Sequence, residues 1–171
     1  MNNVDVLLVE DTSTQSILMQ HMLGGAGFTV IDFVAAEDAI EYLRIARPKL
    51  LITDINLPGM DGFQLSKLVK NEPELSSVPV VLLLSFKDRE DLSRAIDSQA
   101  DDLMLKLLKK DYFVPSFSAI WHRLVSSDPS SVAAVDRAVD EQRLAEFQAV
   151  RLLNMLSTCF ETLVHQQRSQ A

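Results

Sequence analysis

Short apolar runs alternate with amphipathic helical patterns through the first 126 residues, and this alternation restricts the fold more than any other feature. Residues 4–9, 28–34, 50–54, 80–84 and 103–105 are rich in Val, Leu and Ile and too short for helices, so they predict five strands. Between and after them, residues 13–23, 37–46, 63–70, 88–98 and a stretch from Asp111 or Pro115 to Val125 carry apolar side chains at helical spacing. Gly24, Gly25 and Gly27 stop the first helix and Pro48 ends the second. Strands and helices joined in turn by short loops predict an α/β fold, a parallel sheet covered on both faces. Five such units match the flavodoxin-like, doubly wound order 2-1-3-4-5.

The character changes near Ser126. All five glycines lie in the first 62 residues, and no proline follows Pro129. We therefore divide the chain into a domain over residues 1–126, a linker over 127–131 and a C-terminal helix over 132–171. Ala149, Leu152, Leu156, Cys159 and Leu163 recur at alternating spacings of three and four, and Val135, Ala138, Gln142 and Ala145 continue the register backward. A helix from Pro129 to Gln167 would run roughly 58 Å, too long to lie wholly on a small domain. Its apolar stripe needs a partner, and a coiled-coil or bundled homodimer supplies one.

Composition excludes several classes. A formal charge of −8 argues against direct DNA binding, which needs clustered Lys and Arg. Nothing after Ser131 has the pattern of a DNA-reading helix pair, so the chain is read either as a complete regulator or as the front of a longer one. The single cysteine excludes a disulfide framework and suits a reducing compartment. No apolar run reaches the length of a membrane span, so the expected location is the cytoplasm.

The segment Asp54-Ile55-Asn56-Leu57-Pro58-Gly59-Met60-Asp61-Gly62 carries the strongest functional signal. Asp54 closes an apolar strand, and the proline and glycines force an irregular turn before the next helix. An acid there points into the crevice at the carboxyl ends of the strands. Glu10 and Asp11 close the first strand, which in a 2-1-3 order lies one spacing, about 4.8 Å, from the third. Clustered carboxylates repel one another unless a hard cation sits among them, and Mg²⁺ is the one expected.

This segment, with Glu10-Asp11, Ser85 and Lys106 in order after it, resembles the receiver domain of two-component response regulators. The resemblance covers residues 3–126 and implies that Asp54 accepts a phosphoryl group from a histidine kinase or phosphotransfer protein. It further implies Mg²⁺ held by Glu10, Asp11, Asp54 and the backbone carbonyl of Asn56. Ser85 would bond a phosphoryl oxygen, and Lys106 would pair with Asp54 before transfer and with the phosphoryl group after it. Drawing Ser85 inward would shift the face made by the fourth helix, fifth strand and fifth helix, and signal to an effector. Such a protein is no enzyme beyond slow reactions of its own phosphoryl group.

Three positions depart from the family pattern. Phe86 stands where a small residue usually leaves room over the site. Leu107 replaces the proline after Lys106, which predicts a trans peptide and a rearranged loop, since a cis bond to a non-proline residue costs about 3 kcal/mol. Leu103 replaces the aromatic residue that commonly switches rotamer. These favour an alternative in which the chain is a receiver-fold interaction or dimerisation module that works without phosphate. A small Mg²⁺-dependent phosphatase is disfavoured, because no second acid is placed to protonate a leaving group. His21, His122 and His165 lack metal spacing, and each is expected to be structural or at the surface.

Overall fold

The computed structural model describes residues 4–85 and 92–126, all within the first of two compact units, which ends at Asp128. The expectations for Phe86, for the linker over 127–131 and for the helix over 132–171, with Cys159 and His165, lie outside the described residues. The elements follow in strict alternation: β1 (Val6–Val9), α1 (Ser13–Gly25), β2 (Val30–Phe33), α2 (Ala36–Ile45), β3 (Leu50–Asp54), α3 (Gly62–Asn71), β4 (Val80–Leu84), α4 (Leu92–Asp97), β5 (Asp102–Leu105) and α5 (Lys110–Leu124). The five strands form one parallel sheet in the order β2-β1-β3-β4-β5. This is the doubly wound α/β architecture expected from the alternation.

Side chains on a strand alternate between faces, and the two halves of the core follow that rule residue by residue. Leu7, Val9, Leu51, Val80, Leu82 and Leu84 pack with α2 and α3 residues such as Leu43, Leu65 and Val69. Val6, Leu8, Leu50, Ile52, Val81, Leu83 and Met104 pack on the other face with Met19, Leu23, Phe113 and Phe117 of α1 and α5. With both faces covered, central strands need no polar alternation, and β1, β3 and β4 are buried throughout.

Two elements differ from their sequence reading for packing reasons. β2 spans Val30–Phe33 rather than 28–34. Phe28 instead sets its ring edge-on to Phe117, with centroids 4.8 Å apart, and also meets Trp121. Helix α5 begins at Lys110 and contains Pro115, which therefore does not start it. A proline inside a helix costs about 3 kcal/mol. Phe113 and Phe117 on either side of it are both fully buried, and each burial is worth roughly 1.5–3 kcal/mol. Packing outweighs propensity here.

The turn after β3 is fixed from within. Gly59 adopts φ +74°, and Asp61 caps α3 in a reciprocal box, accepting from Gln64 N at 2.8 Å while Gln64 Oε1 accepts from Asp61 N at 3.0 Å. Gly62 donates its N–H to the Ile55 carbonyl at 3.0 Å, and a Cβ placed on it would lie 2.2 Å from the Asp54 carbonyl oxygen. The methyl group has no room, because the obstacle is backbone. Gly62→Ala should therefore destabilise the protein by about 2 kcal/mol or more and displace the end of β3. Urea denaturation of the variant beside the wild type checks this, and equal midpoints would contradict it.

Candidate functional site

Four polar side chains at strand ends continue the alternation that faces α1 and α5. Glu10 follows Val6 and Leu8, Asp54 follows Leu50 and Ile52, Ser85 follows Val81 and Leu83, and Lys106 follows Met104. The register sets Val9 beside Thr53, so the next residues, Glu10 and Asp54, are lateral neighbours. Leu84 pairs with Leu105 in the same way, which brings Ser85 beside Lys106.

These residues meet in an open cleft of about 650 Å³, lined by Asp11, Thr12, Gln15, Asp54, Asn56, Ser85 and residues 106–109. Glu10 is fully buried beneath it, Asp54 is 6% exposed, and Asp11 lies at the surface. Carboxylate oxygens of Glu10, Asp11 and Asp54 all lie within 4.8 Å of one another. Lys106 reaches into this cluster, with Nζ 2.6 Å from Asp54 Oδ2 and 2.6 Å from Glu10 Oε2. The bond to Asp54 fits the sequence expectation. The one to Glu10 was not foreseen, because nothing in a sequence says which of two adjacent acids a distant lysine will reach.

Local structure holds the acids in place. Glu10 Oε1 accepts from Thr12 N at 3.1 Å, and the Thr12 hydroxyl donates to Asp11 Oδ1 at 3.2 Å. Thr12 is the N-cap of α1, yet its side chain makes no capping bond, because it is turned to Asp11 instead. Asn56 N lies 3.5 Å from Asp54 Oδ1, a long contact at the start of the turn. On the far side, no cis peptide occurs among the described residues, so Leu107 follows Lys106 through a trans bond, as the missing proline predicts. Leu107 N donates to the Leu105 carbonyl at 2.8 Å, folding the chain sharply at Lys106. Leu103, half-buried, packs with the core on the α2–α3 side of the sheet. Gln15, Leu108 and Lys109 also line the cleft without having been singled out. Gln15 was legible in principle, in the first turn of the helix that follows Asp11.

A family model of the response regulator receiver domain matches residues 6–117, well over half of the chain. The chain belongs to the response regulator receiver family. This receiver is 32% identical over 101 residues to the transcriptional regulatory protein AfsQ1 of Streptomyces coelicolor, a match covering 59% of this chain and 44% of that one. It spans about half the length of such relatives. Among solved structures it resembles the signal receiver domain of a histidine kinase from Syntrophus aciditrophicus, with 31% identity, a TM-score of 0.65, and coverage of 74% of this chain and 92% of that one. The receiver domain of the sensor histidine kinase PA1611 from Pseudomonas aeruginosa has the same fold, at 21% identity and a TM-score of 0.65 over 73% of this chain and 99% of that one. That structure carries a magnesium ion in its active-site cleft. No helix among the described residues is long and apolar enough to cross a membrane.

The cluster suits a hard divalent cation. Its donors are carboxylate oxygens of three acids, and the Lys106 ammonium pairs with two of them, Glu10 and Asp54. Burial pushes the Glu10 carboxyl above its ordinary 4.5; Lys106 opposes the shift and the Asp54 charge adds to it. Burial also penalises the Lys106 ammonium, but hydrogen bonds and charge from Asp54 and Glu10 outweigh this and raise it above 10.5.

The native state retains a Glu10 proton that the unfolded chain has released, so Glu10 favours folding below 4.5, and that contribution is lost as pH rises through the raised native value. The Lys106 contribution is complete below 10.5 and is lost only at higher pH. Glu10→Gln removes the first titration alone. In the absence of Mg²⁺, its melting temperature should gain on the wild type as the pH rises from 4.5. A constant offset over that rise would show that Glu10 does not titrate there.

Proposed function

We propose that this receiver is the phosphoacceptor of a cytoplasmic two-component pathway, in which Asp54 takes a phosphoryl group from a histidine kinase or phosphotransfer protein. The observation that carries this is Asp54 itself: a buried carboxylate at a strand end, facing an open cleft, with Lys106 at 2.6 Å. A carboxylate oxygen of Asp54 bonds to phosphorus as the donor's P–N bond breaks, and the electron pair leaves on the imidazole nitrogen. The product is an acyl phosphate. Glu10, Asp11, Asp54 and the Asn56 carbonyl would hold Mg²⁺, which would supply positive charge to the phosphoryl oxygens. Lys106 exchanges its bond to Asp54 for one to the phosphoryl group, and the Ser85 hydroxyl donates to a phosphoryl oxygen. The protein turns over no separate substrate.

Helix α1 presents the docking surface for the donor. Ile17 is 65% exposed and Leu18 39% exposed, two and three residues after the cleft-lining Gln15. Large apolar side chains in water beside a reactive cleft fit a partner that must bring its own histidine to Asp54.

Intact mass after incubation with Mg²⁺ and a small phosphodonor tests the reading. One phosphoryl adduct is expected on the wild type and none on Asp54→Asn. Ile17→Asp should keep the adduct from the small donor and slow transfer from a protein donor tenfold or more. A folded, Mg²⁺-binding wild type with no adduct would favour the phosphate-independent interaction module.

The output runs through the face of α4, β5 and α5 to a homodimer formed by the C-terminal segment. The support for that dimer is the apolar seam from Val135 to Val164 in the sequence. Light scattering on the full chain should give the mass of a dimer; a monomer at high concentration would remove this part of the proposal.

A further inference from the structure

Helix α4 is joined to the phosphoacceptor segment by a side-chain tie outside the cleft. Arg94, on α4, places its guanidinium 2.5 Å from Asp61 Oδ2 and over the Phe63 ring at 4.5 Å from the centroid. Asp61 is the N-cap of α3, its other oxygen accepting from Gln64 N. The next residue, Gly62, lies against the Asp54 carbonyl with no room for a methyl group. Phe63 is buried in the core beneath the turn. Arg94 therefore grips a rigid block whose other end is Asp54. On its own side, α4 is short, with Ala95 buried and Ser98 just beyond its end accepting the Ser66 hydroxyl at its carbonyl. It is also the next described element after Ser85, with residues 86–91 between them outside the described residues.

We propose that Arg94 is a positioning residue that clasps α4 to the phosphoacceptor segment in the unmodified state, so that releasing the clasp and occupying Asp54 favour each other. The proposal rests on the phosphoacceptor reading for its direction. Drawing Ser85 to a group on Asp54 would favour a shift of α4, the next described element, while Asp61 stays fixed by its box with Gln64. The clasp is made in the arrangement seen here and must yield for α4 to shift. Arg94 is half exposed, with 51% of its side chain accessible, so the ion pair is screened and cheap to break. A contact of that kind biases an equilibrium without locking it. Coupling is reciprocal, so whatever releases the clasp tightens binding at Asp54.

The test uses the full chain with Mg²⁺ and beryllofluoride, a mimic of a phosphoryl group on a carboxylate. Arg94→Gln should bind it about two- to fivefold more tightly than the wild type. Asp61→Asn keeps a capping oxygen and loses the charge, so it should give the same gain, and the double variant no more than either alone. A merely stabilising ion pair would lower the melting temperature and leave the affinity unchanged, which overturns the inference, as do fully additive gains. Hydrogen exchange without any ligand separates this from failure of the phosphoacceptor reading. Arg94→Gln should speed exchange both in α4 and in residues 55–62. Acceleration confined to α4 would mean that no tie reaches the segment. A wild type that binds no beryllofluoride, with exchange quickened in both places, would sink the proposed role of Asp54 and with it the direction of the coupling.

Discussion

The two-residue period of a strand is the constraint from which the site follows. In a parallel sheet all strands run the same way, so their carboxyl ends share one edge, and the parity of each strand decides which face its last side chain joins. Here the residues facing α1 and α5 are followed, two positions on, by Glu10, Asp54, Ser85 and Lys106. A one-residue slip in any strand would send its polar end to the opposite face and the adjoining apolar residues out of the core. Core packing and site assembly are thus enforced together. The hydrophobic free energy that fixes the register also brings like charges within 4.8 Å of one another.

That juxtaposition is electrostatically costly, and the costs are visible. A buried carboxylate with no compensation would neutralise itself. Glu10 is pushed partway in that direction by burial, while Lys106 and the Thr12 N–H hold it back. Lys106 bridges two acids from a third strand, which makes it the main counter-charge of the resting cluster. On the proposed phosphoacceptor reading, an ammonium so placed would also follow negative charge from the carboxylate to a phosphoryl group. Its tether differs from the family's usual one, since Leu107 rather than proline follows it. The sharp fold at Lys106 is held by a backbone hydrogen bond from Leu107 N to the Leu105 carbonyl, one that a proline at that position could not donate.

Much of this was legible from the amino-acid order. The strands announced themselves as apolar runs because both faces of the sheet are covered, and Asp54 to Gly62 carried its turn chemistry openly. What escaped were the contacts set by side-chain reach across the fold. Glu10 to Lys106 joins β1 to the end of β5, and Arg94 to Asp61 joins residues 33 apart in sequence. The start of α5 was ambiguous because Pro115 is a strong local signal, overruled by the burial of Phe113 and Phe117. The retreat of β2 from Phe28 has the same origin, an aromatic cluster assembled from β2's approach and α5. Local chemistry is written in neighbours; these choices were made by distant partners.

The two loops flanking Asp54 and Lys106 are held differently, and the difference bears on how the site works. The turn after Asp54 is braced along its length by Gly62 against backbone, by the Asp61–Gln64 box and by Glu37 Oε1, which accepts from Met60 N at 3.1 Å. A nucleophile on such a mount keeps its geometry whatever approaches it, and the donor is left to supply the alignment. Opposite it, residues 106–109 present two leucines and two lysines to the cleft, and Lys109, the N-cap of α5, makes no side-chain capping bond. Rigidity on the side of the nucleophile confines adjustment to the side of the counter-charge. On the proposed reading, a phosphoryl group arriving on Asp54 would be accommodated by Lys106 and Ser85, the residues that follow β5 and β4.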